Sequence, residues 1–142
     1  MRVSLLVVGR QGSMLADATA DFERRASRYW SLEVAEVKDD SRMLQRIPPG
    51  VEIVALTRDG KAWSSSQLAA YLNDLAVQGK AGAAFLIGGA LGLSPEIISR
   101  ANKTMSMSNM TFTHELARLL FTEQLYRAGT IVRGEPYHKA RS

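Results

Sequence analysis

Apolar residues in this chain come either in short continuous runs or at three- and four-residue steps, and the two patterns alternate from one end to the other. Residues 3–8, 51–56 and 83–87 are runs rich in branched side chains, each stopped by glycine or a polar turn, and they predict buried strands. Residues 32–37 alternate apolar with acidic positions, which predicts a half-buried strand near a sheet edge. Over residues 13–29, Leu15, Ala18, Phe22, Ala26 and Tyr29 make one helical stripe. Ser64 with Gln67 forms a capping-box pattern, opening a helix with Leu68, Tyr71, Leu72 and Leu75 inward and Gly79 and Gly82 at its end. Residues 38–50 hold at most a short helix around 42–47, closed by Pro48, Pro49 and Gly50. A polar turn over 57–61 takes the chain out of the third strand. Residues 104–110 alternate Met105 and Met107 with Ser106 and Ser108 and lead, as a strand, into a last helix over 114–128. Strands alternating with helices predict an α/β fold with a mainly parallel sheet flanked by helices.

That last helix carries Leu116, Leu119, Leu120, Phe121 and Leu125 around most of its circumference, so it needs cover on more than one side. The sheet supplies one cover; a second copy can supply the other, and a homodimer is expected. With 142 residues the chain is expected to be a single domain, residues 1–142. A net charge of +4 permits a polyanionic partner without requiring one. The absence of cysteine excludes disulfides, thiolate-ligated zinc and thiol nucleophiles. No signal-peptide pattern and no membrane-length apolar run is present, so a soluble cytoplasmic protein without a membrane partner is expected.

The run Phe85-Leu86-Ile87-Gly88-Gly89-Ala90-Leu91-Gly92 ends a strand in three glycines before a helix start at Ser94-Pro95-Glu96. Gly88, Gly89 and Gly92 can take positive φ and let a ligand meet bare backbone; the plain alternative is a tight turn with no ligand. Neither the dinucleotide GxGxxG spacing nor a P-loop ending is present. Ligands of parallel sheets sit outside the carboxyl ends of strands, and Leu56, Gly88-Gly89 and the segment ending at His114 all fall there.

That glycine loop, the run Met105-Ser106-Met107-Ser108-Asn109-Met110-Thr111-Phe112-Thr113-His114, and Glu123-Gln124-Leu125-Tyr126-Arg127-Ala128 with Pro136-Tyr137-His138-Lys139 together resemble the ribosomal RNA large-subunit methyltransferase H family of the SPOUT class. The resemblance covers nearly the whole chain. It implies a sheet whose C-terminal part is threaded into a deep trefoil knot, a homodimer, and methyl transfer from S-adenosylmethionine to N3 of a pseudouridine in 23S ribosomal RNA on the assembled ribosome. It further implies a cofactor held by Leu56, by Gly88 and Gly89, and by Asn109, Met110, Thr111, Phe112, Thr113 and His114, with no metal. Two departures stand out: residues 38–50 are short for the family, and Thr113 and Gly129 replace bulkier or stiffer residues.

Methyl transfer is an in-line displacement, so donor and acceptor must be held collinear and close. The acceptor imide must also lose a proton. His138 is the first candidate base, with Arg127 stabilising the anion, Tyr137 orienting or stacking on the nucleobase, and Glu123 paired with Arg127. Against each stands a plainer role: a frayed surface histidine, His114 as base in its place, an ordinary helix ion pair. Met105 and Met107 read as core filler, and Trp30 and Trp63 as packing. The basic tail with Arg24, Arg25, Arg28 and Lys61 could track phosphates. Two other functions remain open at this point: a methyltransferase of the same fold acting on another RNA such as tRNA, and a non-catalytic RNA-binding or ribosome-assembly module.

Overall fold

A computed structural model describes residues 1–139, with only the backbone of His138 and Lys139. Strands β1 (Arg2–Val8), β2 (Ser31–Val37), β3 (Glu52–Ala62), β4 (Gly82–Ile87) and β5 (Lys103–Ser106) form one sheet in the order β2-β1-β4-β3-β5, parallel throughout. The alternating run is β2 and lies at the edge, as its half-polar pattern requires; the continuous run of β4 lies in the centre with every residue buried.

Strand side chains alternate between two cores. Val3, Leu5, Val7, Val54 and Phe85 point to one face, where α1 (Ser13–Ala26), α2 (Ser65–Val77) and α4 (His114–Arg133) cover them. Leu6 and Leu86 point to the other, covered by α3 (Pro95–Arg100) and two short 3-10 turns, Asp40–Arg42 and Leu44–Arg46, with Met43 fully buried between them. Crossovers that carry the chain toward β2 use the three-helix face and those that carry it away use the thin one, as a single hand of connection demands. The strand order is compatible with the C-terminal knot that the resemblance implies.

Inside the thick face, Phe85 and Phe121 are both 0% exposed with ring centroids 4.8 Å apart. Burying each contributes about 2–3 kcal/mol. The Trp30 indole N–H donates to the Leu125 carbonyl at 2.8 Å and pins α4 near the start of β2.

Several boundaries differ from the sequence pattern. Helix α1 stops at Ala26, and Thr19 and Ala26 are its buried residues, while Ala18 is exposed and Leu15, Phe22 and Tyr29 are only half covered. The expected turn at 57–61 is instead the second half of β3, because Lys61 and Ala62 pair with β5 beyond a bulge. β5 ends at Ser106 rather than near residue 110. α4 continues to Arg133, where Gly134 closes it in the left-handed conformation at φ 69°. The short helix expected at 42–47 is the pair of 3-10 turns.

Candidate functional site

The carboxyl edge of the sheet is built from main chain. Gly92 takes φ 75° and its N–H donates to the Gly89 carbonyl at 2.9 Å, closing a four-residue turn. Of the three glycines that can take positive φ, only Gly92 does. Gly88 is glycine for another reason: a Cβ there would lie 2.4 Å from the Gly92 carbonyl carbon. A Cβ on Gly89 would meet Val8 of β1 at 3.1 Å. The turn is therefore folded onto itself and onto the neighbouring strand.

Asp40 steadies this turn, accepting a 2.6 Å hydrogen bond from the N–H of Ser94, whose own hydroxyl caps α3 at Ile97. Nothing in the sequence pattern singled out Asp40, since its partner is remote in the chain.

Residues 106–114 form the second wall. Ser106 donates its hydroxyl to the Ser108 carbonyl at 2.7 Å and accepts from the Ser108 N–H at 3.2 Å, while the Ser108 hydroxyl accepts from the Met110 N–H. Serines read as the polar side of a strand are turn formers here. Arg58 donates to the Thr111 hydroxyl at 3.3 Å, tying this loop to the bulge of β3 just past Leu56. The Thr113 hydroxyl accepts from the Leu116 N–H and caps α4. His114 sits over Gly9 at the end of β1, its Nε2 3.2 Å from where a Cβ would stand. Leu56, Gly88, Gly89 and residues 109–114 thus lie along one edge spanning β5, β3, β4 and β1.

Leu91 at 101% and Met110 at 75% exposure stand on the two walls of this edge. Next to it, a groove of about 300 Å³ opens between α2, α4 and the 106–114 loop, walled by Trp63, Met105, Met107, Phe112, Phe121 and Gln124. Phe112 belongs to both. Trp63 and Met107, expected only to pack, line this groove. Among the described residues no group of three or more His, Cys, Asp or Glu could hold a metal ion.

The proposed catalytic side chains gather elsewhere, at the far half of α4. Glu123 accepts from Arg127 Nε at 3.2 Å and from the Tyr137 hydroxyl at 3.0 Å, and the Arg127 guanidinium lies 4.9 Å over the Tyr137 ring. Tyr137 stands edge-on to Tyr126 at 4.6 Å. Burial first, and then its bond to the Glu123 carboxylate, pushes the Tyr137 phenol up, so Tyr137 stays a proton donor. A short 3-10 turn, Pro136–Lys139, presents Tyr137, and it is anchored by Tyr29 donating to Glu135 at 2.5 Å. Gly129 lets this happen: a Cβ there would lie 2.3 Å from the Tyr29 ring. The side chain of His138 lies outside the described residues.

Between edge and cluster sits Arg118, 8% exposed, donating to Glu36 at 2.6 Å and to Glu23 at 2.9 Å. Its pairing holds the Glu36 carboxyl below the usual range. An arginine set between Ala117 and Leu119, among the apolar positions of α4, was the signal for it, and the helical pattern alone passed over it.

The edge and the cluster are well separated within one chain. At 1.5 Å per residue, Glu123 lies about 14 Å along α4 from His114, and Arg127 about 20 Å.

Comparison with known proteins bears on what these parts do. The family described as Predicted SPOUT methyltransferase matches residues 1–138. A ribosomal RNA large subunit methyltransferase H from Gemmatimonas aurantiaca is 43% identical over 155 residues, covering 98% of this chain and 100% of that protein. Among solved structures, a probable methylase family protein from Haemophilus influenzae superposes with a TM-score of 0.63 at 10% identity, covering 99% of this chain and 71% of that one. The SpoU methyltransferase AviRb from Streptomyces viridochromogenes, solved in complex with AdoMet, gives 0.50 at 11% identity, covering 89% and 57%. At such identities these structures speak to the fold alone.

Proposed function

Because the chain belongs to the SPOUT methyltransferase family, as a ribosomal RNA large subunit methyltransferase H, we propose that it transfers a methyl group from S-adenosylmethionine to N3 of a pseudouridine in 23S ribosomal RNA, on the assembled ribosome in the cytoplasm. The observation that carries this reading is the family match over residues 1–138 with a relative of that name 43% identical over nearly the whole chain, in a fold that places the 88–92 turn after β4 and the 106–114 loop after β5, both at the carboxyl end of the sheet. Residues 1–142 serve as one methyltransferase domain.

S-adenosylmethionine, when bound, supplies an electrophilic methyl carbon on a sulfonium. Leu56, Gly88, Gly89 and residues 109–114 would hold it, and no metal is called for. The chain's own work on the acceptor falls to the cluster. His138 takes the N3 proton, the Arg127 guanidinium stabilises the anionic ring, and Tyr137 orients the base while remaining a phenol. Glu123 fixes the directions of both Arg127 and Tyr137.

In-line transfer needs reacting atoms about 3–3.5 Å apart, far less than the ~14 Å from His114 to Glu123. A second copy closes that gap. Leu116 and Leu120 are 41% and 40% exposed along the same outward stripe of α4 as Glu123 and Arg127. Two α4 helices crossing antiparallel near Leu120 would bury that stripe and set the cluster of each copy against residues 109–114 of the other.

The test is transfer of labelled methyl to ribosomes from cells lacking this protein, followed by mass mapping of the RNA, with bulk tRNA alongside. Methylation of one large-subunit pseudouridine is expected; label in tRNA alone, or no binding of S-adenosylmethionine by calorimetry, would replace this reading. Sedimentation over a concentration series should show a dimer at micromolar protein. A monomer throughout that range would remove the shared site.

A further inference from the structure

The C-terminal halves of α1 and α4 carry a layer that the chemistry above does not use in full. Phe22, Tyr29 and Tyr137 each pack on Tyr126, at centroid distances of 6.2, 5.9 and 4.6 Å, and form a continuous aromatic shelf. Guanidinium groups lie over it. Arg25 stands 5.6 Å above Phe22 and 5.8 Å above Tyr126, Arg133 5.0 Å above Tyr29, and Arg127 4.9 Å above Tyr137. Asp21 engages Arg24 and Arg25, and Glu123 engages Arg127, whereas Arg28 and Arg133 are exposed and have no ion pair among the described residues.

We propose that this arginine-capped shelf is where phosphates of the ribosomal RNA dock; the identification of the polyanion as ribosomal RNA rests on the function proposed above. A guanidinium held over a ring gives up part of its rotamer freedom in advance, and its planar fork matches two phosphate oxygens. An apolar protein partner would need the rings bare, and here cations cover them. Arg127 and Tyr137 belong both to the shelf and to the cluster that receives the nucleobase, so phosphates flanking the target nucleotide fall on the remaining arginines. The thin face of the sheet offers the contrast. It too carries exposed arginines, Arg46 and Arg100, but among the described residues its core has no aromatic side chain to hold them.

The experiment removes equal charge from the two faces. Arg28→Ala with Arg133→Ala is compared with Arg46→Ala with Arg100→Ala, by binding to 23S ribosomal RNA and to large ribosomal subunits over a salt series. The shelf variant is expected to bind about tenfold more weakly near 0.1 M salt, and its slope of log affinity against log salt should shrink by about two. The thin-face variant should keep the native slope, and both should keep native affinity for S-adenosylmethionine. Should the double variant misfold, Arg133→Gln alone, at the arginine over the Tyr29 ring, should shrink the slope by about one. Equal slopes in the two variants, an unchanged slope in the shelf variant, or a shelf variant whose only change is its monomer–dimer balance, would each overturn the proposal. Native protein that binds RNA in this way but methylates no ribosome would leave the shelf standing and remove the function it was linked to.

Discussion

The sheet edge and the α4 cluster are made of different material. At the edge, contacts are set by main chain and by side chains that are absent: Gly88 lies where a Cβ would be 2.4 Å from Gly92, and Gly89 where one would be 3.1 Å from Val8. At the cluster, everything depends on side chains that are present, with one carboxylate, Glu123, serving both Arg127 and Tyr137. An edge of this kind is damaged by adding atoms and a cluster by removing them. The first should lose cofactor binding, and the second should lose rate.

The largest effect is expected where added atoms have nowhere to go. Gly88→Ala places its methyl against backbone, which cannot rotate away, so the 89–92 turn must reopen. Affinity for S-adenosylmethionine by calorimetry should fall at least about a hundredfold, or ~2.8 kcal/mol. Gly89→Val should act alike through Val8. Native affinity in both would mean that the cofactor does not touch this turn. Arg118→Met comes next. It strands Glu23 and Glu36 without their shared cation, costing about 1–2 kcal/mol of stability, between the values for exposed and buried pairs because Arg118 is buried while Glu36 is 41% exposed. Because Arg118 stands between edge and cluster, denaturant titration should show the loss while methyl transfer by the remaining folded protein stays near native.

How much of this the sequence could reveal follows the same division. The runs that became β1 and β4, the alternation that put β2 at the edge, and the caps at Ser64 and Ser94 were legible because each is set by near neighbours. The end of α4 was not. Gly129, Thr130, Ile131 and Val132 look like a helix giving way to strand, yet Gly129 is buried under Tyr29 and the Thr130 hydroxyl donates to the Arg127 carbonyl, so packing overrides propensity. β3 runs past residue 56 only because β5, some forty residues later, pairs with it. The separation of edge from cluster was likewise hidden, since it depends on how far one continuous helix carries the chain.

Glu123→Gln keeps an oxygen for Tyr137 but removes the charge that orients Arg127. A fall in kcat of about tenfold, ~1.4 kcal/mol, is expected with unchanged cofactor affinity. His138→Ala should show the same split between rate and binding. If either variant lost cofactor affinity in proportion to rate, edge and cluster would be one site and the shared-subunit arrangement would fail.

The smallest effect concerns how the cluster is tethered. Tyr29 donates to Glu135 and so fixes the start of the turn that presents Tyr137. That bond first, and burial second, pushes the Tyr29 phenol up from 10.0 to about 12. Raised in the folded state, it contributes stability that is fully present below pH 10, declines as the unfolded chain's tyrosine ionises first, and is gone above about pH 12. Tyr29→Phe has no such proton to lose. Its deficit against the native protein should therefore be largest below pH 10 and should close between pH 10 and 12, as read from denaturant midpoints at several pH values. Curves that ran parallel across that window would show that Glu135 does not hold Tyr29. The turn carrying Tyr137 would then be held by Glu123, by packing on Tyr126 and by the Glu135 N–H bond to the Thr130 carbonyl, and the cluster would be less fixed than the edge it is proposed to serve.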